Sequence, residues 1–357
     1  MKRLLKVFAI TLIVIAALAI AALLILPVFV KKKLVGYVEQ HTDYTLKIDA
    51  IDLGWNEVVI HGIEFKPKRN KEAFFKQKGF ETDWVRGKLQ IIKIKGINWK
   101  NVIQGRHYKI NYIDIDQADI YVYRDKRMPD VFKYKPLLSS LLREAKVRFT
   151  VPEIKLTRSN VVYEEVQKKT GEPVKISFNQ LNAVISHVSS DNIYLDKNPV
   201  MTIAADAMIL DSIKTHVDYS ANTRNKTDEF MVKGRVHSFS ATQLNRCIEP
   251  AAKARIVSGY INQIDFSFTG NNNSSKGVLN MDYHDLKLKV DEEVKQNKVK
   301  TLLANFFVKN DDHKKRGETN TGEIDFTRRK DRFIFNYWWN SFKSGIVSSV
   351  LKKPAQK

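Results

Sequence analysis

The chain has a single cysteine, Cys247, so no internal disulfide can form and the redox compartment cannot be read from cysteine usage. It also lacks the spacings that carry common chemistries. None of its eight histidines makes a His-x-x-x-His or His-x-His pair, and there is no Gly-x-Ser-x-Gly, Gly-x-Gly-x-x-Gly or phosphate loop. Gly270 to Gly277, with Ser274 and Ser275, comes nearest to the last. It lacks the Lys-Ser/Thr end and a following helix, so it reads as a hairpin turn. His61 and His187 stand in strand-like text and read as satisfied surface or core residues. Glu292 with Glu293 and Asp311 with Asp312 read as solvated charge. No catalytic residue, metal ligand or cofactor is expected, and the reading is of a protein that is not an enzyme.

Acidic residues are also few: 39 against 60 basic ones, for a formal net charge of +21. Six of the basic residues flank one apolar run, which leaves +15 on the rest of the chain. Such a balance suits wet strand faces rich in lysine, a surface for anionic lipid head groups, or nucleic acid. The apolar run counts against nucleic acid.

That run is Val7 to Val30, twenty-four residues without a charge. As a helix it spans ~36 Å, enough to cross a hydrocarbon core of ~30 Å with some tilt. No Ala-x-Ala follows it, so an uncleaved single-pass anchor is expected over 7–30 rather than a signal peptide. Lys2, Arg3 and Lys6 precede it and Lys31, Lys32 and Lys33 follow, a tie that leaves orientation open.

The text after the anchor alternates with period two. Ile113 and Ile115 alternate with Asp114 and Asp116, then Ile120 and Val122 with Tyr121 and Tyr123. One buried and one wet face, repeated in a dozen or more strands without βαβ rhythm, predict a mainly β body. The fold expected is an elongated, curved antiparallel sheet with a few short helices. The divisions expected are a basic N-terminus (1–6), the anchor, an N-terminal β part (31–127) and a loop with a short helix (128–146). A C-terminal β part (147–290) and a basic tail with a strand and a terminal aromatic helix (291–357) complete the chain. Pro250 is expected to end the first half of the helical break around Cys247.

Aliphatic and aromatic residues at alternate strand positions are the candidates for an apolar groove: Ile60, Ile63, Phe65, Ile94, Ile113, Ile115, Ile120, Val122, Ile176, Phe178, Ile264, Phe266 and Phe268. From periodicity alone a groove and a closed core read alike. Lys31, Lys32, Lys33, Arg328, Arg329, Lys330, Trp338 and Trp339 are the candidates for touching head groups or a membrane surface.

The order anchor, short helix, then TLKIDAIDLGWNEVVIHGIEF resembles the AsmA-like family of bacterial envelope proteins (the AsmA/TamB/YhdP type), of which this would be a short member. Residues 229–290 resemble it best: a strand with Gly234, Leu244-Asn245, Pro250, Ser258-Gly259, a strand ending in Gly270, and Gly277 leading to Tyr283 and Leu286. The resemblance implies an inner-membrane anchor, a body in the periplasm, a gutter-like β-groove, and a role in phospholipid movement or outer-membrane homeostasis. Its partners would be membrane, phospholipid and other envelope proteins. The alternative is a tethered scaffold that regulates outer-membrane protein assembly without carrying lipid.

Overall fold

The computed structural model describes residues 28–104, 107–290 and 319–351. Among these, no helix is long and apolar enough to cross a membrane. The anchor expected over 7–30 lies outside the described residues except for its last three, as do the acidic pairs at 292–293 and 311–312.

One 14-stranded sheet forms the body. Its path runs β1 (Tyr44–Leu53), β2 (Glu57–Pro67), β3 (Asp83–Lys95), β5 (Tyr112–Asp125), β6 (Phe149–Val166), β7 (Pro173–Ser189), β8 (Val200–Ile209), β9 (Ile213–Asn222), β10 (Phe230–Val236), β12 (Ala254–Gly270), β13 (Ser274–Val290) and β14 (Thr319–Thr327). Two short strands lie off this path: β4 (Tyr108–Lys109) pairs with β6, and β11 (Phe239–Ser240) with β12. The sheet is curved and open, as a many-stranded twisted sheet must be if it does not close.

All pairings on the path are antiparallel but one. β5 and β6 run parallel, Ile113 beside Ile154 and Ile120 beside Val161. That pairing, not expected from the sequence, requires a crossover, which residues 126–148 supply with α4 (Leu138–Arg143) inside it. The helix α1 covers 28–41 and leads into β1. α2 (Lys71–Lys78), α3 (Trp99–Ile103) and α5 (Asn192–Lys197) are short links that the sequence reading did not foresee. α6 (Asn245–Ala252) runs through Pro250 and stops only at Lys253, whose φ of 50° is left-handed, so Pro250 does not end it. α7 (Ile334–Leu351) follows β14.

Side-chain alternation changes phase along one line of the sheet. β5 carries Ile113 and Ile115 on the apolar face before the line and Ala118, Ile120 and Val122 after it. β6 carries Ile154 and Leu156 before, then Ser159 and Val161. At the break stand Gly62, Gln117, Arg158 and Gln180, with φ of 57°, 55°, 48° and 52°. Each left-handed residue acts as a bulge, taking up one position so that the next apolar side chain returns to the same face. Ser159 Oγ accepts from the Ala118 N–H at 3.0 Å across this seam. The Arg158 guanidinium is tied to the Asp116 carboxylate on the wet side.

Candidate functional site

With the phase corrected, single-register rungs cross the whole sheet. One passes Leu53, Val58, Ile94, Ile113, Ile154, Ile185, Ile203, Tyr219, Val232, Phe268, Gly277 and Ile324. The next passes Ile51, Ile60, Ile92, Ile115, Leu156, Ala183, Ala205, Val217, Gly234, Phe266, Leu279 and Gly322. Beyond the seam a third joins Leu46, Phe65, Gly87, Ile120, Val161, Phe178, Ile209 and Ile213. None of the three contains a charged residue. The opposite face carries the charges, with Glu57 beside Lys95 at 3.5 Å and Glu64 beside Lys88 at 3.6 Å.

What covers the apolar face differs along the rungs. At the C-terminal end α7 lies on it: Tyr337 meets Phe230 with ring centroids 5.5 Å apart, Trp338 meets Tyr219 at 5.1 Å, and Phe342 meets Phe266 at 4.9 Å. Leu137, just before α4, joins the same core. Here Leu279 and Ile324 are 0 % exposed and Phe268 2 %. At the N-terminal end Val30 and Val35 of α1, with Ile97 and Trp99, pack against Ile48, Ile51 and Val58. Between them, from β3 to β7, Ile92, Ile113, Ile115, Ile120, Ile154, Leu156, Val161, Phe178 and Ile185 are all half-buried and belong to no buried cluster, whereas Ile203 and Ile209 of β8 pack against the C-terminal core. They shelter one another side by side, and α6 meets the sheet beside them at the start of β7, where the Cys247 thiol donates to the Lys175 carbonyl at 3.6 Å.

One end of this floor is closed by a polar rung. Asp83, Arg124 and Glu165 share a register position one step beyond Val85, Val122 and Tyr163. Arg124 donates two bonds of 2.7 Å to Asp83. Burial works against the Arg124 charge, and the Asp83 carboxylate outweighs it, so its pKa is raised. Lys126 holds Glu165 at 2.5 Å. Burial raises the Glu165 carboxyl while Lys126 and Tyr163 lower it, with a net lowering. Burial pushes the Tyr163 hydroxyl well above the usual phenol range. All these charges are paired, so the rung seals the floor's end rather than offering a free cation.

The candidate residues separate accordingly. Ile60, Ile63, Phe65, Ile94, Ile113, Ile115, Ile120, Val122, Ile176 and Phe178 share the apolar face and are half-buried. Ile60, Ile63 and Ile94 lie toward the α1 cluster. Ile264 and Phe268 do not line an open groove: they are buried in the core beneath α7, and Phe266 packs on Phe342. Arg328 is no surface residue either; it is 5 % exposed, bonded to Asn272 and the Lys135 carbonyl, and stacked near Tyr337. Trp338 packs inward, whereas Trp339 is exposed. Lys31 donates to the Asp49 carbonyl at 2.9 Å, and Lys32 and Lys33 are exposed. Arg329 is paired with Asp130 and Asp331, both at 2.6 Å, while Lys330 gives its carbonyl to Lys135. Ile92, Ile154, Leu156, Val161 and Ile185 belong to the floor and were not among the candidates. The signal that could have found them is the phase change itself.

Elsewhere a hollow of about 580 Å³ lies around Asp206, His216, Asp218, Arg235 and Asp265 on the charged face. Its groups satisfy one another: His216 bonds Asp206 at 2.9 Å and Asp218 at 3.2 Å, and Arg235 bonds Asp265 at 2.6 Å. His61 meets Asp52 at 2.9 Å and His187 meets Tyr194 at 2.8 Å, as the sequence suggested for both. Among the described residues no group of three or more His, Cys, Asp or Glu is placed to hold a metal ion.

Comparison with protein-family models gives no match, and comparison with curated proteins gives none either.

Proposed function

We propose that this chain is an inner-membrane-anchored, periplasmic envelope protein that holds phospholipid acyl chains on the uncovered part of its apolar face. The observation that carries the reading is the run of charge-free rungs from β3 to β7, whose apolar residues are partly exposed and belong to no buried cluster. Exposing an acyl chain to water costs ~0.8 kcal/mol per methylene, so a chain of about sixteen carbons costs on the order of 12 kcal/mol. Four strands at ~4.8 Å spacing give ~14 Å of floor. That is close to the ~15 Å that each leaflet's chains occupy in a ~30 Å hydrocarbon core. The resemblance to AsmA-like proteins supplies the compartment and the class of lipid. The filled C-terminal half is what favours the alternative, a tethered scaffold for outer-membrane protein assembly.

The test uses the full chain extracted in mild detergent, with a photoreactive side chain at Ile115, Ile154, Phe178 or Phe268. Co-purifying phospholipid and crosslinks from the first three positions, with none from Phe268, are expected. Absence of lipid together with no crosslink at Ile115 and Phe178 leaves the scaffold reading alone.

A further inference from the structure

A second feature of the molecule faces water with apolar groups, and it is not the sheet. The crossover segment after β5 and the segment between β14 and α7 lie against each other. The Lys135 N–H donates to the Lys330 carbonyl at 2.7 Å, Asp130 accepts from Arg329 at 2.6 Å and from Arg332 at 2.9 Å, and the Lys135 ammonium stands 4.5 Å from the centre of the Phe333 ring. Arg332 also clamps Glu81, at 2.6 and 3.0 Å, fixing both segments to the start of β3. On this braced platform Phe132 is 72 % exposed, Phe335 71 % and Trp339 54 %.

α7 explains why these side chains are not a loose end. Its inner side, Ile334, Tyr337, Ser341 and Gly345, is buried against the sheet. Phe335, Trp339 and Lys343 recur every four residues on the outer side. A surface helix buries one apolar stripe and shows water a polar one. Here the outward stripe begins with two aromatic rings and ends in a lysine. Lys133 follows Phe132, Lys330 precedes α7 and Lys343 stands four residues beyond Trp339, and none of the three has a carboxylate partner among the described residues.

We propose that this aromatic and basic platform docks on an anionic bilayer surface, as a contact separate from the N-terminal anchor. The rings suit the head-group boundary, where an apolar body and a wet rim coexist, and the unpaired lysines suit anionic head groups. The rigid bracing sets all the groups out together before contact, so little ordering remains to be done on binding. The contact does not depend on lipid occupying the sheet face.

The test places the full chain in nanodiscs of phosphatidylcholine and offers vesicles of phosphatidylcholine alone or with phosphatidylglycerol. Capture by the anionic vesicles, or quenching of Trp339 by brominated lipid in the chain's own disc once phosphatidylglycerol is included, is expected; the two arms separate a facing membrane from the anchoring one. Trp339→Phe identifies the quenched signal. Replacing Lys133, Lys330 and Lys343 by Gln should weaken binding by about fivefold per lysine. Phe132→Ser with Phe335→Ser should abolish it while the melting temperature stays near that of the parent. No preference for anionic lipid in either arm, or full binding by the folded double-serine chain, overturns the proposal. So does self-association that needs Phe132 and Phe335 but not lipid, which would assign the platform to a protein contact.

Discussion

The same rungs have two fates. From β3 to β7 the apolar residues lie side by side and partly exposed; from β9 to β14 the continuation of those rungs is sealed by α7. The sealed half is built for its cover. A Cβ on Gly322 would meet the Gly345 carbonyl oxygen at 2.0 Å, and one on Gly345 would meet Ile324 and Leu279 side-chain atoms at 2.7 and 2.8 Å. The two glycines let the helix axis come down onto β14. Ser344 and Ser348 then accept from the Asp325 and Glu323 N–H groups at 3.2 and 2.9 Å, so α7 also satisfies the outer edge of the last strand. An open sheet edge left bare is a template for aggregation. In the uncovered half bulky side chains fill the matching places: at Gly87, a Cβ would meet the rings and methyls of Phe65 and Ile120, not a helix backbone. α7 is therefore part of the fold, and the uncovered stretch is a recess bounded by α1 on one side and α7 on the other rather than a channel along the whole sheet.

Core truncation should break the comparison most sharply. Leu279→Ala removes a fully buried side chain between β13 and α7 and should cost about 3–5 kcal/mol of stability. Ile115→Ala, on the same rung's open stretch, removes a side chain already partly in water and should cost about 1–2 kcal/mol. Denaturant unfolding of each variant checks the pair; equal losses would mean that the two halves are equally packed. A tether comes next in size. Ser275 and Ser341 lie with their hydroxyl oxygens 2.7 Å apart, one on β13 and one on α7. Changing both to cysteine, with Cys247 changed to serine, would close a loop of about 66 residues and should add about 2–4 kcal/mol. Lipid crosslinking at Ile115 and Phe178 should survive the lock. Its loss would show that α7 must leave the sheet for lipid to enter.

The body's class was legible because period-two text persists through most of the chain, and the terminal aromatic helix and the 270–275 turn stand where the sequence put them. The phase break was also in the text: Ile113 and Ile115 are odd-numbered, Ile120 and Val122 even, so an uninterrupted strand would have sent one pair into water. What the text did not carry was the helix that covers part of the face. Ile264 and Phe268 have the same alternating neighbours as Ile113 and Ile115, and only the tertiary position of α7 makes them core. Arg328 misleads for a related reason: a basic run looks like surface until Asn272, Tyr337 and the Lys135 carbonyl close around its first member. The parallel β5–β6 pair is equally silent, since residues 126–148 are long enough for either a crossover or a simple loop.

The charged face should respond to pH where the apolar face does not. Hydrogen bonds that His216 donates to the Asp206 carboxylate, against the opposing effect of burial, and to the Asp218 carboxylate raise its pKa in the folded chain. A raised folded pKa means that folding favours the protonated ring. The contribution is therefore fully present below the unfolded value of about 6.5 and is lost as pH rises through the higher folded value. Because the imidazole is 37 % exposed, solvent screens the pair and the effect should be only about 0.5 kcal/mol or less. His216→Gln should remove that part of the pH dependence in thermal unfolding between weakly acidic and weakly alkaline buffer, while lipid crosslinking from Ile115 stays constant across the same range. A crosslinking yield that tracked the His216 titration would show that the two faces are coupled through β9, and the division of labour between them would fail.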